Sequence, residues 1–506
     1  MTHARIRRRC CVVGVSVVLA AGTLAPATAK PKAACAEARH DGGEWRFFGH
    51  DYSNTRTQPA EKTIGVAEAV TLQPAWSFST GGKGDFTGTP VIADGCLYMG
   101  SNSGWVYALN ADTGRTVWQT KVKAGGINSS LAVLDGKVFA GVSRIGKPAM
   151  IALDQATGQL LWDTTVDRQA GSDTYASPVY FDDMLFMGWS GGSAELGDEA
   201  DRYAFQGGFV LLDADTGRIV KKTYSIRRPD KNPNKPRNLY AGGAIWATPA
   251  IDLETSYAYV GAGNPFRPQK EHKHTNAILK IDLDRRRATF GHIVDSYKGN
   301  VDEYFPVYGD LPCFDIPGNP APYYPQGIGS CGDIDMDFGA SPNLFEIKGR
   351  TYVGEGQKSG VYHVARADNM KAAWSSIVGP PTAVGGIVGS TAWQAGSVYG
   401  PVTAPGYLWS LDDSGGHRWV APIGDGAHWG NPVSVANGVV YTVDLRGFLD
   451  GFDAATGIQV LAAPLWLAGE GAKLSWGGVS IARNTVYAAV GITSSDGSVI
   501  AYRPGG

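Results

Sequence analysis

The chain reads as an all-β protein, an eight-bladed β-propeller of four-stranded antiparallel blades, and three observations lead there. First, one phrase recurs eight times along the 506 residues: a small residue, an apolar stretch, a turn, then an aromatic-rich strand ending near Gly, Ala or Val. It is plain in TGTPVIADGCLYMG from Thr87, ASPVYFDDMLFMG from Ala176 and ATPAIDLETSYAYVG from Ala247, and it returns from Ser129, Ala340, Gly389, Gly430 and Gly478. Each copy is two short strands of period-2 apolar alternation around turn residues. Second, a partner phrase alternates with it, clearest as YALNADTGRTVW (Tyr107 to Trp118) and IALDQATGQLLW (Ile151 to Trp162). Third, the last partner copy, VIAYRPGG, stops before its final strand, while PAWSFST (Pro74 to Thr80) has the character of the missing one. Repeats of this size cannot bury their apolar faces alone, and a ring lets each cover its neighbour. Closing the ring with the N-terminal strand removes the sheet edges.

Taken in chain order, residues 1–29 carry Arg5, Arg7, Arg8 and Arg9, an apolar run from Cys11 to Ala21, and Ala27-Thr28-Ala29. That is the pattern of a secretory signal with a small-residue cleavage site before Lys30. The run is well short of the ~20 residues a membrane span requires. Removing it takes the formal net charge from −2 to −6. The mature chain is mildly acidic, and nothing in it suggests nucleic-acid binding. Residues 30–506 then form one propeller domain, exported out of the cytoplasm.

Within the blades, the Asp-x-Thr-Gly turn uses Gly for a positive φ that other residues resist. The Trp that follows, as in Trp118 and Trp162, is placed to pack between neighbouring blades. Export makes the four remaining cysteines candidates for disulfides. Cys313 and Cys331 bracket a loop rich in Pro and Gly and are preferred as one pair, leaving Cys35 with Cys96; four cysteines allow three pairings. The absence of a CxxCH motif argues against covalently attached c-type haem.

The repeats are uneven, and the extra length at residues 190–210 and 265–340 marks the face where a pocket would be walled. Four polar motifs lie there: SAELG (Ser193 to Gly197), GAGNPFRP (Gly261 to Pro268), GDIDMDFGAS (Gly332 to Ser341) and GQKSG (Gly356 to Gly360). Alone, each has an ordinary reading: a loop acid, an Asn-Pro turn, a solvated lysine. Asp333, Asp335 and Asp337 invite an EF-hand, but Phe338 and Leu344 stand where its Gly and bidentate Glu belong, which excludes it. Together the motifs supply two carboxylates, an amide oxygen and a cation. With Trp246 of GGAIWATPAID they add an aromatic plane, and hard oxygen donors of this kind suit Ca²⁺.

On these motifs, and on WRFFGHDYSNTR (Trp45 to Arg56), the chain resembles the pyrroloquinoline quinone (PQQ)-dependent alcohol dehydrogenases over nearly its whole length, most of all their polyvinyl alcohol-oxidising branch. The resemblance implies PQQ near the propeller axis and Ca²⁺ held by Glu195, Asn264 and Asp337. It also implies Lys358 at the quinone oxygens, Trp246 stacked on the cofactor, and Asp337 as the general base. Two departures stand out. The vicinal disulfide that covers PQQ in many members is missing, since the one adjacent pair, Cys10-Cys11, lies in the signal segment. Gly339 stands where lanthanide-using members carry an extra Asp, which favours Ca²⁺. No fused cytochrome domain is present, so an external acceptor such as a cytochrome c would collect the electrons from the alcohol substrate. The competing expectation is a non-catalytic propeller of the same repeats, serving as a scaffold or binding protein. The Cys313–Cys331 loop, just before Asp337, is expected to cover the pocket mouth and help select substrates.

Overall fold

Each copy of the two phrases folds into one blade, and eight four-stranded antiparallel sheets follow one another along the chain. The computed structural model describes residues 34–37, 41–195, 199–226, 240–267, 272–299, 336–380, 386–403, 406–423, 430–466, 475–492 and 496–505. Blade 1 is typical: Val91–Ala93, Cys96–Gly100, Trp105–Asn110 and Thr116–Lys121, in that order from the axis outward. Its two inner strands are wholly buried, because they face neighbours on both sides. Outermost strands such as Leu160–Thr165 in blade 2 alternate between half-buried and exposed. The N-terminal strand Leu72–Ser79 pairs antiparallel with Ser498–Pro504 and completes blade 8, from Leu72 opposite Pro504 to Ser79 opposite Ser498. The ring closes as the truncated last repeat predicts.

In five of the eight blades an outer-strand tryptophan, Trp76, Trp118, Trp162, Trp374 or Trp419, locks the blade to the next one by bonding a carbonyl there. Trp118 donates its indole N–H to the Gln155 carbonyl at 2.9 Å, and Trp162 reaches the Ala214 carbonyl at 3.1 Å. Each indole lies flat on the glycine of the following blade's turn: a Cβ added at Gly158 would fall 2.5 Å from Trp118, and one at Gly217 would fall 2.6 Å from Trp162. These glycines, at φ +71° and +68°, are required twice over, for the turn and for the contact. Trp76 of the closing strand does the same to Gly114 of blade 1, bonding the Ala111 carbonyl at 3.2 Å. The apolar clusters accordingly lie between blades; one joins blades 1 and 2 through residues such as Tyr98, Trp118 and Val138.

A second device sits at the axis. The segment from Trp45 to Gln58 crosses the innermost strands in turn. It accepts the amides of Val133, Ile251, Leu344, Trp393 and Val435 on its own carbonyls before Thr57–Gln58 pairs in parallel with blade 7. The Gln58 amide extends it to blade 8 through the Ile481 carbonyl at 3.0 Å. The family-like phrase WRFFGHDYSNTR is therefore a hub.

Cys35 is bonded to Cys96, with their Cα atoms 4.9 Å apart, fastening the leading segment to blade 1. The Cys313–Cys331 pair, its loop and the signal segment lie outside the described residues. Among the described residues no helix is long and apolar enough to cross a membrane.

Candidate cofactor and metal site

Register decides which residues meet. Trp246 stands four residues before the innermost strand of blade 4 (Ala250–Asp252), and Gly339 stands four before that of blade 5 (Asn343–Ile347). Asn264 follows the second strand of blade 4 (Tyr257–Ala262), and Lys358 follows that of blade 5 (Arg350–Gly356). Glu195 ends a one-turn helix, Gly192–Glu195, after the second strand of blade 3. Since the first strand starts where the second one ends, all five belong to one end of three adjacent blades.

With Asp337, two residues before Gly339, the side chains Glu195, Asn264, Asp337, Lys358 and Trp246 form a continuous chain of contacts. The Glu195 carboxylate accepts from the Asn264 side-chain amide at 3.1 Å. The Asn264 backbone N–H donates to Asp337 Oδ1 in a short bond. Asp337 Oδ2 pairs with Lys358 Nζ at 3.3 Å, and that ammonium lies 5.1 Å from the centre of the Trp246 ring. Asn264, Asp337 and Lys358 are buried, so their interactions are little screened. Glycine makes the close approach possible: a Cβ at Gly263 would lie 2.8 Å from Asp337 Oδ1, and one at Gly339 would lie 2.3 Å from the edge of Trp246. Among the described residues no three His, Cys, Asp or Glu side chains cluster as a metal site. The two carboxylates here are joined through Asn264 instead, its side-chain amide bonding Glu195 and its backbone N–H bonding Asp337, and the side-chain amide can present either its NH₂ or its oxygen.

Behind Asp337 lies a polar network that the motifs did not announce. The Lys358 backbone N–H bonds the Asp337 carbonyl at 3.0 Å, and Gln357 Nε2 donates to the Met336 carbonyl at 2.8 Å. Gln357 Oε1 faces His363 Nε2 at 3.0 Å, and His363 Nδ1 faces the Tyr297 hydroxyl at 3.0 Å. Burial pushes the His363 pKa down to about 3, so the ring is neutral. A neutral ring protonated at Nε2 satisfies both neighbours, donating to Gln357 and accepting from Tyr297. Glu355, opposite His363 on the neighbouring strand, is fully buried, and burial raises its pKa well above the usual carboxylate range. The one available signal was strand alternation, which puts Glu355 and Gln357 on the same inward face of GEGQKSG.

Residues 60–264 match the PQQ_2 family, described as "Outer membrane protein assembly factor BamB". The chain is 27% identical to a polyvinylalcohol dehydrogenase of Pseudomonas sp. over 88% of its length and 72% of that relative's. It is 29% identical to the polyvinylalcohol dehydrogenase of Sphingopyxis sp. over 82% of its length and 66% of that relative's. In fold it matches the quinohemoprotein alcohol dehydrogenase of Comamonas testosteroni with a TM-score of 0.69 at 20% identity, over 92% of this chain and 81% of the other. The chain is thus similar to polyvinylalcohol dehydrogenases through most of its length, and it shares the propeller fold of a quinohemoprotein alcohol dehydrogenase.

Proposed function

We propose that this protein is an extracytoplasmic PQQ- and Ca²⁺-dependent dehydrogenase that oxidises secondary or polymeric alcohols and hands electrons to a separate carrier. The observation that carries the reading is the unbroken path Glu195–Asn264–Asp337–Lys358–Trp246. Five residues scattered over 164 positions of sequence meet as acid, amide, acid, cation and aromatic plane. A scaffold has no use for that set, whereas a planar anionic quinone beside a hard cation uses every member. The Cys35–Cys96 bond fits an oxidising compartment.

The residues present fit both groups. Glu195, Asp337 and the Asn264 amide oxygen would hold Ca²⁺, the cation selecting the oxygen end of the amide. Trp246 offers a flat face braced by Gly339, and the Lys358 ammonium can donate to quinone oxygens while paired with Asp337. When bound, PQQ supplies the electrophilic carbonyl that accepts a hydride and Ca²⁺ supplies Lewis acidity beside it. The chain's own part is proton handling and placement. An Asp337 carboxylate oxygen takes the hydroxyl proton of the alcohol, while Lys358 stabilises negative charge growing across the pocket. Gln357 and the Lys358 backbone N–H grip the peptide on both sides of Asp337 and fix its direction.

The test is reconstitution. Purified protein with PQQ and Ca²⁺ should reduce an artificial dye with 2-propanol-type alcohols or with polyvinyl alcohol, and neither component alone should suffice. Protein that binds no PQQ and reduces no dye with any alcohol would leave the scaffold reading.

A further inference from the structure

One layer deeper along the axis, Trp246 and Phe48 line a cavity of about 160 Å³ together with a ring of small polar residues. The ring comes from the position two residues before each innermost strand, four residues past Asp337 in blade 5. The candidate metal ligands and Lys358 take no part in it. Here blades 1 to 6 are linked by a relay around the axis. The backbone N–H of Thr89 donates to Ser130 Oγ, that of Ser130 to Ser177 Oγ, and that of Ser177 to Thr248 Oγ1. The Thr248 N–H continues to Ser341 Oγ, and the Ser341 N–H to Ser390 Oγ. Every one of these hydroxyls is more than nine-tenths buried.

In each link the hydroxyl is the acceptor, so its own O–H proton is left over. Among the described residues none of these five hydroxyls donates to any group of the chain. Blades 7 and 8 carry Pro432 and Gly478 at the same position, and there Arg56 fills in. Its guanidinium donates to the Val433, Phe48 and Val479 carbonyls, to Ser434 Oγ, and at 3.4 Å to Thr89 Oγ1, on the cavity wall. It lies 4.6 Å from the ring centre of Phe48, the other shared wall. Arg56 is wholly buried, and among the described residues no carboxylate pairs with it. Burial lowers its pKa to about 9, which still leaves the guanidinium charged at neutral pH. A buried cation without a counter-charge is costly, and a ring of O–H donors without acceptors has the same electrical sense. Both are satisfied by a species that only accepts hydrogen bonds and carries negative charge.

We infer that the axial cavity is a binding site for a small monovalent anion of halide type, held by the Thr89–Ser390 hydroxyl ring and by the field of Arg56. The anion completes the hub from inside, neutralising the buried charge of Arg56. Its binding is independent of the quinone, so it can be measured whether or not the proposed activity holds.

The experiment uses the whole protein without PQQ. Crystals soaked in sodium bromide should show anomalous scattering inside the ring. In solution, chloride or bromide should raise the melting temperature in a saturable way over methanesulfonate at equal ionic strength, as a ligand of the native state does. Ser130→Ala with Ser177→Ala removes two of the ring hydroxyls, and should weaken the bromide dependence at least tenfold without removing the transition itself. Ordered water alone in the ring, or a bromide peak without any saturable stabilisation (an adventitious ion only), would overturn the inference. So would loss of the bromide peak on adding PQQ, which would give the cavity to a cofactor carboxylate.

Discussion

Replacing Asp337 with Asn tests the site where its geometry is tightest. The two side chains have nearly the same shape, but both oxygens of Asp337 are held, Oδ1 by the Asn264 N–H and Oδ2 by the Lys358 ammonium. An amide has one oxygen. If it faces Asn264, its NH₂ meets the ammonium of Lys358; if it faces Lys358, the NH₂ meets a backbone N–H. One buried, charge-assisted bond is lost in either case, which costs about 1.5–3 kcal/mol. On the catalytic side, loss of a general base lowers turnover by about 10²–10⁴-fold. The assay is dye-linked alcohol oxidation after reconstitution with PQQ and Ca²⁺, paired with urea unfolding of the same preparation. Turnover within about threefold of the parent, in a variant destabilised as stated, would remove Asp337 from the base role and pass it to Asp335. A variant of unchanged stability would refute the contact argument itself.

Gly339→Ala places a methyl 2.3 Å from the Trp246 indole, which must tilt, so PQQ affinity, read by quenching of tryptophan fluorescence, should fall about tenfold while stability changes little. Trp118→Ala removes the bond to Gln155 and the packing on Gly158, and should cost about 3 kcal/mol in urea unfolding, in line with large-to-small changes in cores. Deleting Leu72–Ser79 opens the ring and should abolish the cooperative transition, seen by calorimetry. Asp450 is buried, and that burial, with the Asp444 charge beside it and against the opposing pull of Arg446 and Gln459, raises its pKa to about 7. The native state therefore holds a proton that the unfolded chain releases near pH 4. Stability from this group is full at low pH and declines as pH rises from about 4 to 7, and Asp450→Asn should remove that slope from the pH dependence of the urea midpoint.

The fold was legible because a propeller repeats its physics: turn glycines, small axial residues and, in five of the eight blades, a docking tryptophan serve the same contacts again and again. Even the closure could be read, since the last blade lacks a strand and Trp76 supplies the character it needs. The site was legible only through motifs, because its five residues come from three blades and no local pattern states that Glu195 meets Asn264. Its supports were hidden for a sharper reason. Gln357 and His363 act through a carbonyl and a ring nitrogen, so in sequence they are indistinguishable from strand filler. Arg56 was hidden most deeply, for it makes sense only where the repeat fails. Six blades offer a hydroxyl at the axial position, blades 7 and 8 offer Pro432 and Gly478, and the buried guanidinium stands in that gap. A repeat protein keeps its blades alike for stability. The positions where it departs from its own pattern are therefore the ones to question for function, and Arg56, Asp337 and Trp246 all lie at such departures, around one axis.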